Sequence, residues 1–360
     1  MRDSNYMKYS KQEIIDMLSI IEPSELELLR IKAYNTMMDN CGSKVYLRGL
    51  VEFSNYCIND CNYCGIRKSN IQISRYILNK EDIIKSAMWS INQGYGSVVL
   101  QSGERKDDAF IDFVCDVVSE IKAKSKSDEL PNGAGITLSI GEQSKQNYEK
   151  LFAAGAHRYL LRIETSNPKL YSQIHPKEMV FENRINCLRS LQEVGFQTGT
   201  GVMIGIPGQT IADLADDVLF FKAMDIDMIG MGPFIPHHQT PMSDEIFPWD
   251  KMRNYQLALS MIAVCRIVMP DINIASTTAL QAIYEGGREN GLMYGANIIM
   301  PQQTPVDVRR EYQLYEGKPF LSESLESIAD GVNMKIENIG RQIAINEFGD
   351  SKHYFKKKRQ

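Results

Sequence analysis

Runs of apolar and β-branched residues recur along the chain from residue 45 onward, each with the length of a single buried strand. Between these runs, apolar residues return every three or four positions, which is the spacing of an amphipathic helix. The pattern therefore predicts strands that alternate with helices. The eight strand-like runs span residues 45–54, 97–101, 135–140, 158–163, 197–204, 228–235, 273–277 and 296–300.

The helical stretches differ in how clearly they are patterned. A weak pattern places a seventh helix near residues 286–294, and an eighth is expected within residues 322–345. Four clearer stripes consist of Ile83, Ile84, Ala87, Met88 and Ile91; Ile111, Val114, Val118 and Ile121; Tyr148, Leu151 and Phe152; and Ile211, Leu214, Val218 and Phe221.

Eight strands alternating with helices over about 255 residues match the count and length of a (β/α)8 barrel of the TIM type. The alternative is a doubly wound open sheet. No long linker, low-complexity tract or change of composition divides the chain, so we expect one barrel domain over residues 44–345. Functional residues would then lie at the C-terminal rim of the barrel, where the strands end.

Both ends of the chain are expected to lie outside the barrel. Residues 1–43 predict an N-terminal helical extension of two helices, the second with Ser24 and Glu27 as a capping box and Gly42 as its stop. Residues 346–360 are predicted to form a basic C-terminal tail, and we expect its final run, residues 356–359, to be solvated and disordered.

Composition and charge narrow the class of protein. The 360 residues are 43% hydrophobic and 24% charged, as in ordinary globular proteins, and a formal charge of −5 argues against a nucleic-acid partner. No apolar run reaches the ~18 residues of a membrane span, and residues 1–10 lack the apolar core of a signal peptide. We therefore expect a cytoplasmic protein without membrane contact, whose seven cysteines are reduced thiols.

Three of those cysteines fall within eight positions directly after the first predicted strand. Cys57, Cys61 and Cys64 form a C-x3-C-x2-C motif, and thiolates are soft ligands that select zinc, copper(I) or iron–sulfur clusters. A zinc site would need a fourth ligand such as His237 or His238, but the sequence has no second pair with zinc-site spacing. A four-iron cluster usually takes four thiolates, so three would leave one iron open to another ligand.

The motif resembles that of the radical S-adenosylmethionine (SAM) enzymes, with an aromatic residue, here Tyr63, before the last cysteine. The resemblance implies one 4Fe-4S cluster held by Cys57, Cys61 and Cys64, with SAM bound to the fourth iron. It also implies that the reduced cluster cleaves SAM to a 5′-deoxyadenosyl radical inside a βα barrel.

Further predicted strand ends are similar to the SAM-binding elements of that family. Segment 102–104 resembles its G-G-E element, which receives the amino group of SAM, although a serine replaces the first glycine. Glu164 is implied to bind the ribose hydroxyls, and Arg184 the SAM carboxylate. Met203 is implied to lie on the adenine, or could equally belong to the core. The segment 102–104 consists of Ser102, Gly103 and Glu104.

Longer stretches narrow the resemblance to one group. Segments spread over residues 64–319, among them CGIRKSN, RYLLRIETSNP and GMGPFIPHHQTP, are similar to the radical SAM maturases of the FeFe hydrogenase. The resemblance implies a small-molecule substrate that is an iron–carbonyl–cyanide unit carrying cysteine. It also implies an electron donor such as a ferredoxin or flavodoxin, and action beside other hydrogenase maturases. The alternatives are an amino-acid mutase like methylornithine synthase and another small-molecule radical SAM enzyme.

The remaining cysteines argue against a second cluster. Cys115, Cys187 and Cys265 fall on helix stripes and are predicted to be buried, and Cys41 precedes the barrel. A sulfur-inserting enzyme like biotin synthase, which needs a second cluster inside the barrel, is therefore disfavoured.

Several side chains are expected to point into the barrel at the strand ends. The set carries one cation and no carboxylate other than Glu164, which favours an anionic substrate. His237 and His238, on the sixth loop, would either contact substrate or be solvated. The inward-pointing candidates are Thr137, Ser139, Arg162, Thr277, Thr278 and Met300.

Overall fold

The structure is a computed structural model that describes residues 9–359. None of the helices in this range is long and apolar enough to cross a membrane. The strands are β1 (Lys44–Ser54), β2 (Ser97–Ser102), β3 (Gly135–Ser139), β4 (Arg158–Leu160), β5 (Gln197–Thr200), β6 (Met203–Ile204), β7 (Met228–Ile229), β8 (Gly232–Pro233), β9 (Asn273–Ile274), β10 (Ile298–Ile299) and β11 (Gln342–Ala344). The helices are α1 (Lys11–Ser19), α2 (Pro23–Cys41), α3 (Lys80–Asn92), α4 (Asp108–Lys124), α5 (Lys145–Ala153), α6 (Pro168–Ile174), α7 (Phe181–Val194), α8 (Ile211–Ala223), α9 (Lys251–Val268), α10 (Thr278–Ile283), α11 (Gly287–Met293), α12 (Val306–Arg309), α13 (Leu325–Asn338) and α14 (Lys352–Lys358).

Eight parallel strands form a barrel in the order β10-β1-β2-β3-β4-β5-β7-β9. A parallel bridge between Ala275, which follows β9, and Ile298, in β10, closes the ring. The (β/α)8 prediction is confirmed, and the open sheet is wrong because the ring leaves no pair of free edges. The predicted runs 197–204 and 228–235 each break into a barrel strand and a short second strand, and β6 pairs with β8 beyond the rim.

The predicted apolar stripes lie on the buried faces of α3, α4, α5 and α8. Ile83 and Val218, for example, are almost completely buried in the hydrophobic core. The predicted seventh and eighth helices are α11 and α13. Local periodicity was therefore sufficient to place these six helices around the barrel.

The N-terminal extension packs against the barrel helices, with α1 on α8 and α9 and with α2 on α9. α2 ends before Gly42, whose φ of 85° is a conformation that glycine adopts without steric cost. The predicted capping box is wrong because Ser24 lies inside the helix, whose N-cap is Glu22, and because Glu27 pairs with Arg30 at 2.7 Å.

The C-terminal segment closes the bottom of the barrel. The prediction that residues 356–359 are disordered is wrong, because α14 extends to Lys358. We define residues 347–351 as the C-terminal plug. Arg158, fully buried at the start of β4, donates a hydrogen bond to the carbonyl of Phe348 at 3.0 Å. Arg48 on β1 donates to the carbonyl of Gly349 at 2.9 Å. The plug thereby supplies hydrogen-bond acceptors to two guanidinium groups that are buried at the bottom of the barrel.

The basic residues that suggested a solvated tail instead pair with acidic residues at the bottom of the barrel. His353 Nε2 lies 2.6 Å from Asp225 Oδ1, and Lys356 Nζ lies 2.6 Å from Asp271 Oδ2. These contacts hold α14 beneath β7 and β9, because the two aspartates precede those strands.

Candidate active site

A cavity of about 300 Å³ opens at the C-terminal ends of the barrel strands. Its wall is formed by residues at or just beyond the ends of β2, β3, β4, β9 and β10, and by the cysteine loop, which we define as residues 55–70 after β1. This is the end at which barrel enzymes carry their active sites.

Cys57, Cys61 and Cys64 lie together in the wall of this cavity. Within residues 9–359, their sulfurs are not among the ligand atoms that converge closely enough to hold a single ion. Their wider spacing suits a multi-iron cluster better than one zinc ion. Burial raises the pKa of all three thiols, to about 12 for Cys61, so at neutral pH they would lose protons only to a bound cation.

The other four cysteines do not line the cavity. Cys265 is buried, as predicted, and so is Cys41. The prediction of full burial is wrong for Cys115 and Cys187, which are partly exposed on the outer helices α4 and α7.

Hydrogen bonds to the main chain hold the cysteine loop against its neighbours. The Ile58 N–H donates to the carbonyl of Glu104 at 2.9 Å, and the Asn62 N–H donates to the carbonyl of Ile174 at 2.9 Å. The Arg75 guanidinium donates to five carbonyls of the loop, at 2.6, 2.8, 2.6, 3.4 and 3.1 Å. These hydrogen bonds fix the loop backbone before any ligand is bound.

Gly103 permits the closest approach between β2 and the cysteine loop. Its N–H donates to the carbonyl of Ser54 at 3.0 Å. A Cβ at this position would lie 2.3 Å from the carbonyl oxygen of Tyr56 and 2.8 Å from the Cβ of Cys57. Only glycine fits there, so this position of the G-G-E resemblance has a steric basis.

The Glu104 carboxylate lies in the cavity wall and already has two partners. Its Oε2 accepts a hydrogen bond from the Glu142 N–H at 2.9 Å, and its Oε1 pairs with Lys106 Nζ at 3.1 Å. The hydroxyl of Ser102 donates to the carbonyl of Gly103 at 2.7 Å. Segment 102–104 is therefore rigid, and it faces the cavity beside the three cysteines.

Glu164 is buried at the cavity and has a φ of 64°, a left-handed conformation that is uncommon outside glycine. Two main-chain bonds impose it, one donated by Glu164 N–H to Gly201 O and one accepted from Met203 N–H, both at 3.0 Å. Its Oε2 lies 2.9 Å from Arg162 Nη2 but makes no hydrogen bond of good geometry. Burial raises the pKa of this carboxyl. A strained residue with an unsatisfied polar atom is typical of a binding site.

Arg184, on the first turn of α7, is buried with its guanidinium in the cavity wall. Its Nε donates to Glu142 Oε1 at 2.7 Å, and its Nη1 donates to the carbonyl of Arg162. Arg184 is therefore not on the surface, where arginines of outer helices commonly lie.

Met203 lines the cavity and also belongs to a small apolar cluster. Tyr63 packs beside this cluster, and its hydroxyl lies 3.2 Å from Nε2 of His175. Through Met203 and Phe234 the cluster contributes apolar side chains to the cavity wall. Its buried members are Leu170, Ile174, Met203, Ile206, Phe234 and Met242.

Four of the five predicted substrate contacts line the cavity. They are Arg162, Thr277, Thr278 and Met300. Thr137 does not, because it pairs with the first residue of β4 in a lower layer, and its hydroxyl accepts a bond from Arg158 Nε at 3.0 Å. Ser139, two residues closer to the rim, is the β3 residue that reaches the cavity.

Sequence reasoning missed an ion pair in the cavity wall. Lys318 Nζ lies 2.6 Å from both carboxylate oxygens of Glu52 and donates to the carbonyl of Tyr312 at 2.8 Å. The prediction of one interior cation and no acid beyond Glu164 is therefore wrong in its count. A glutamate inside the apolar run of β1 was the one available signal, whereas Lys318 is in a loop with no pattern.

The two histidines of the sixth loop have different environments. His237 is 3% exposed, so the prediction of a solvated loop is wrong for it. His238 is exposed and hydrogen-bonds Glu316 through Nδ1. Neither ring lines the cavity, although Ile235, two residues before His237, does.

Comparison with known proteins gives a consistent result. Residues 51–221 match the radical SAM superfamily. Over 349 residues the chain is 42% identical to the [FeFe] hydrogenase maturase subunit HydE of Thermotoga maritima, across 97% of this chain and 95% of that protein. It is 28% identical over 295 residues to 3-methylornithine synthase of Methanosarcina acetivorans, across 81% and 78% of the two chains.

A solved structure of methylornithine synthase, PylB, has the same fold. It superposes with a TM-score of 0.79, at 22% identity, across 94% of this chain and 96% of that one. The likeness extends over nearly the whole of both chains and shows that they share an overall fold.

Proposed function

The chain belongs to the radical SAM superfamily, and on that basis we propose that it binds one 4Fe-4S cluster through Cys57, Cys61 and Cys64 and acts in maturation of the FeFe hydrogenase. The observation that carries the proposal is the 42% identity to HydE over 97% of the chain. The cavity geometry is the physical support for it.

The residues present fit the cluster and SAM. Three thiols share one wall, they are spaced too widely for a single ion, and burial keeps them protonated until a cation binds. The unsatisfied Oε2 of Glu164 and the unpartnered Nε of Arg162 lie in the same cavity. When bound, the reduced cluster and SAM would supply a 5′-deoxyadenosyl radical.

The protein's part in this chemistry is to hold SAM in one orientation. We assign the ribose hydroxyls to Glu164, whose Oε2 pairs with Arg162 but makes no hydrogen bond of good geometry, so that it can accept one from a hydroxyl. Arg184, already oriented by Glu142, would pair with the SAM carboxylate, because a guanidinium can donate two parallel bonds to a carboxylate. Met203 and its apolar cluster would cover the adenine, and segment 102–104 would receive the amino group.

The substrate would occupy the part of the cavity lined by Arg162, Thr277, Thr278 and Met300. Arg162 is paired with Glu164, but its Nε–H has no hydrogen-bond partner, and we assign that N–H to an acceptor on a small molecule such as an iron–carbonyl–cyanide unit carrying cysteine. Lys318 and Glu52 neutralise each other and leave that assignment unchanged. The barrel wall keeps water from the reacting atoms.

Two experiments test the proposal at different levels. Anaerobic reconstitution should give about four irons per chain and 5′-deoxyadenosine when SAM and dithionite are added. The loaded enzyme should then restore activity to apo-hydrogenase in a maturation mixture from which only the HydE protein is omitted, with a ferredoxin or flavodoxin as electron donor. SAM cleavage without restored hydrogenase would overturn the substrate assignment and leave the enzyme class intact.

A mutase acting on a diamino acid is the second candidate. Glu52 puts a carboxylate in the cavity wall, where a substrate ammonium could bind. Lys318 already occupies that carboxylate at 2.6 Å, which favours the hydrogenase route. Incubation with diamino acids, followed by mass spectrometry of the products, distinguishes the two.

A further inference from the structure

Three potential metal ligands converge outside the cavity, on two loops that meet beside the cysteine loop. The ligand atoms of His237, His238 and Glu316 all lie within 4.8 Å of one another. The Glu316 N–H donates to the carbonyl of Pro236 at 3.2 Å, so the two loops are joined by their main chains as well.

His237 is the fixed member of the group. Its ring packs on Gly65, where a Cβ would lie 2.7 Å from the ring carbon Cδ2 and 2.9 Å from Nε2. Its Nδ1 accepts a bond from the Gln239 N–H at 3.1 Å, so this nitrogen carries no proton. A cation would take that lone pair in place of the N–H.

His238 and Glu316 are the accessible members. Their side chains are 66% and 46% exposed, which leaves a hydrated ion a path of entry and leaves coordination positions for water. The His238 ring stacks on His237 at 4.8 Å, and the main-chain N–H of His238 donates to Glu316 Oε1 at 3.2 Å. The carboxylate is therefore held beside both rings.

We propose that His237, His238 and Glu316 bind one divalent transition-metal ion at the mouth of the barrel. Two imidazoles and a carboxylate with open positions suit Zn²⁺ or Fe²⁺, whereas Mg²⁺ and Ca²⁺ prefer oxygen ligands. The site is separate from the three thiols. A bound ion would join the loop after β8 to the loop after α12, and through Gly65 it would stiffen the cysteine loop.

The test is zinc binding to the cluster-loaded protein, in which the three cavity thiols are already occupied. Isothermal titration with Zn²⁺ alone should show one equivalent that Glu316→Gln and His238→Ala each weaken by at least about 100-fold. Glu245→Gln, a change at an exposed glutamate farther along the same loop, should bind like the parent. Cys115 and Cys187 are present in all the variants, so any zinc that they bind does not affect the comparison.

Equal zinc binding by the parent and the three variants, or no zinc binding by any of them, would overturn the proposal. The contact between His238 and Glu316 would then be a hydrogen bond without a metal-binding role. Because Glu316 and His238 are exposed, both variants are expected to fold, and unchanged iron content and SAM affinity would verify that. The result does not depend on the assignment of the substrate.

Discussion

Lys318 Nζ lies 2.6 Å from both carboxylate oxygens of Glu52, and the two side chains are 7% and 3% exposed in the wall of the cavity. The pair joins the loop after α12 to β1 and so closes one side of the candidate active site. Two charges this deeply buried depend on each other, since either one alone would be uncompensated.

Lys318→Met should therefore destabilise the protein by ~3–5 kcal/mol, because it leaves the buried Glu52 carboxylate without its counter-charge and with only neutral hydrogen-bond donors such as Gln302. Urea denaturation measures the loss. The double variant Glu52→Gln/Lys318→Met should recover much of it, and Lys145→Met, which breaks an exposed pair with Glu193, should cost at most ~1 kcal/mol. A loss as small as that of the exposed pair would contradict the prediction.

Cys61→Ala should abolish both cluster binding and SAM cleavage, because the cavity offers no other thiol to replace the lost ligand. Iron content and 5′-deoxyadenosine formation are the measurements. Cys115→Ala, a change on the outer face of α4, is the matched control and should leave both unchanged. Retained cleavage in Cys61→Ala would refute the ligand assignment.

Gly103→Ala should displace the cysteine loop, because the added Cβ would lie 2.3 Å from the carbonyl oxygen of Tyr56. A shift of that kind typically lowers turnover by roughly 100-fold, here measured as SAM cleavage. Gly331→Ala in α13, where a Cβ meets no atom within 4 Å, should leave cleavage unchanged. The prediction fails when both variants cleave SAM at the parent rate.

Glu164→Gln should weaken SAM binding about tenfold or more, since a hydrogen bond to a charged group contributes ~1.5–3 kcal/mol. Titration of SAM into the cluster-loaded enzyme measures the change. Glu178→Gln, at an exposed position before α7, is the control. Unaltered affinity in Glu164→Gln would remove the ribose assignment.

Stability should depend on pH through His353. Its hydrogen bonds to Asp225 and Asp271 raise the pKa to about 9 from an ordinary 6.5. A raised folded-state pKa gives stability that is complete below pH 6.5 and is lost as the pH rises through 9. His353→Gln should thus cost about 1–3 kcal/mol at pH 6 and little at pH 10, measured by urea denaturation.

Lys352→Gln, on the same helix but exposed, provides the comparison and should show no such pH dependence. An equal cost of His353→Gln at both pH values would mean that α14 is held by packing of Tyr354 rather than by the charged imidazole.

The barrel could be predicted because its signals are local. A strand shows as a short apolar run and a helix as a stripe such as Ile83–Ile84 to Ile91, and both depend only on neighbours in the chain. The placement of the three cysteines could be predicted for the same reason, since one short loop carries them all. The capping box at Ser24 failed because the helix begins two residues earlier than that box requires, at Pro23 with Glu22 as N-cap, and proline is well suited to the first helical position.

The depth of a side chain inside the barrel was harder to predict from the sequence. Thr137 and Ser139 lie on the same face of β3, yet only Ser139 lines the cavity. Thr137 pairs with the first residue of β4 and is therefore below the cavity floor, which depends on the register between the two strands. The basic C-terminal residues likewise have acidic partners beneath the strands, and no local pattern in the sequence indicates those partners.

By itself, the sequence determined the eight barrel strands, most of the helices between them and the placement of three thiols on one rim loop, because each depends on residues within a few turns of one another. Only the tertiary structure decided that Glu52 meets Lys318, 266 residues away, that the C-terminal plug closes the barrel, and that Glu316 joins two histidines. Such contacts depend on how strand register and loop paths combine over the whole chain, and no periodicity within either segment encodes that.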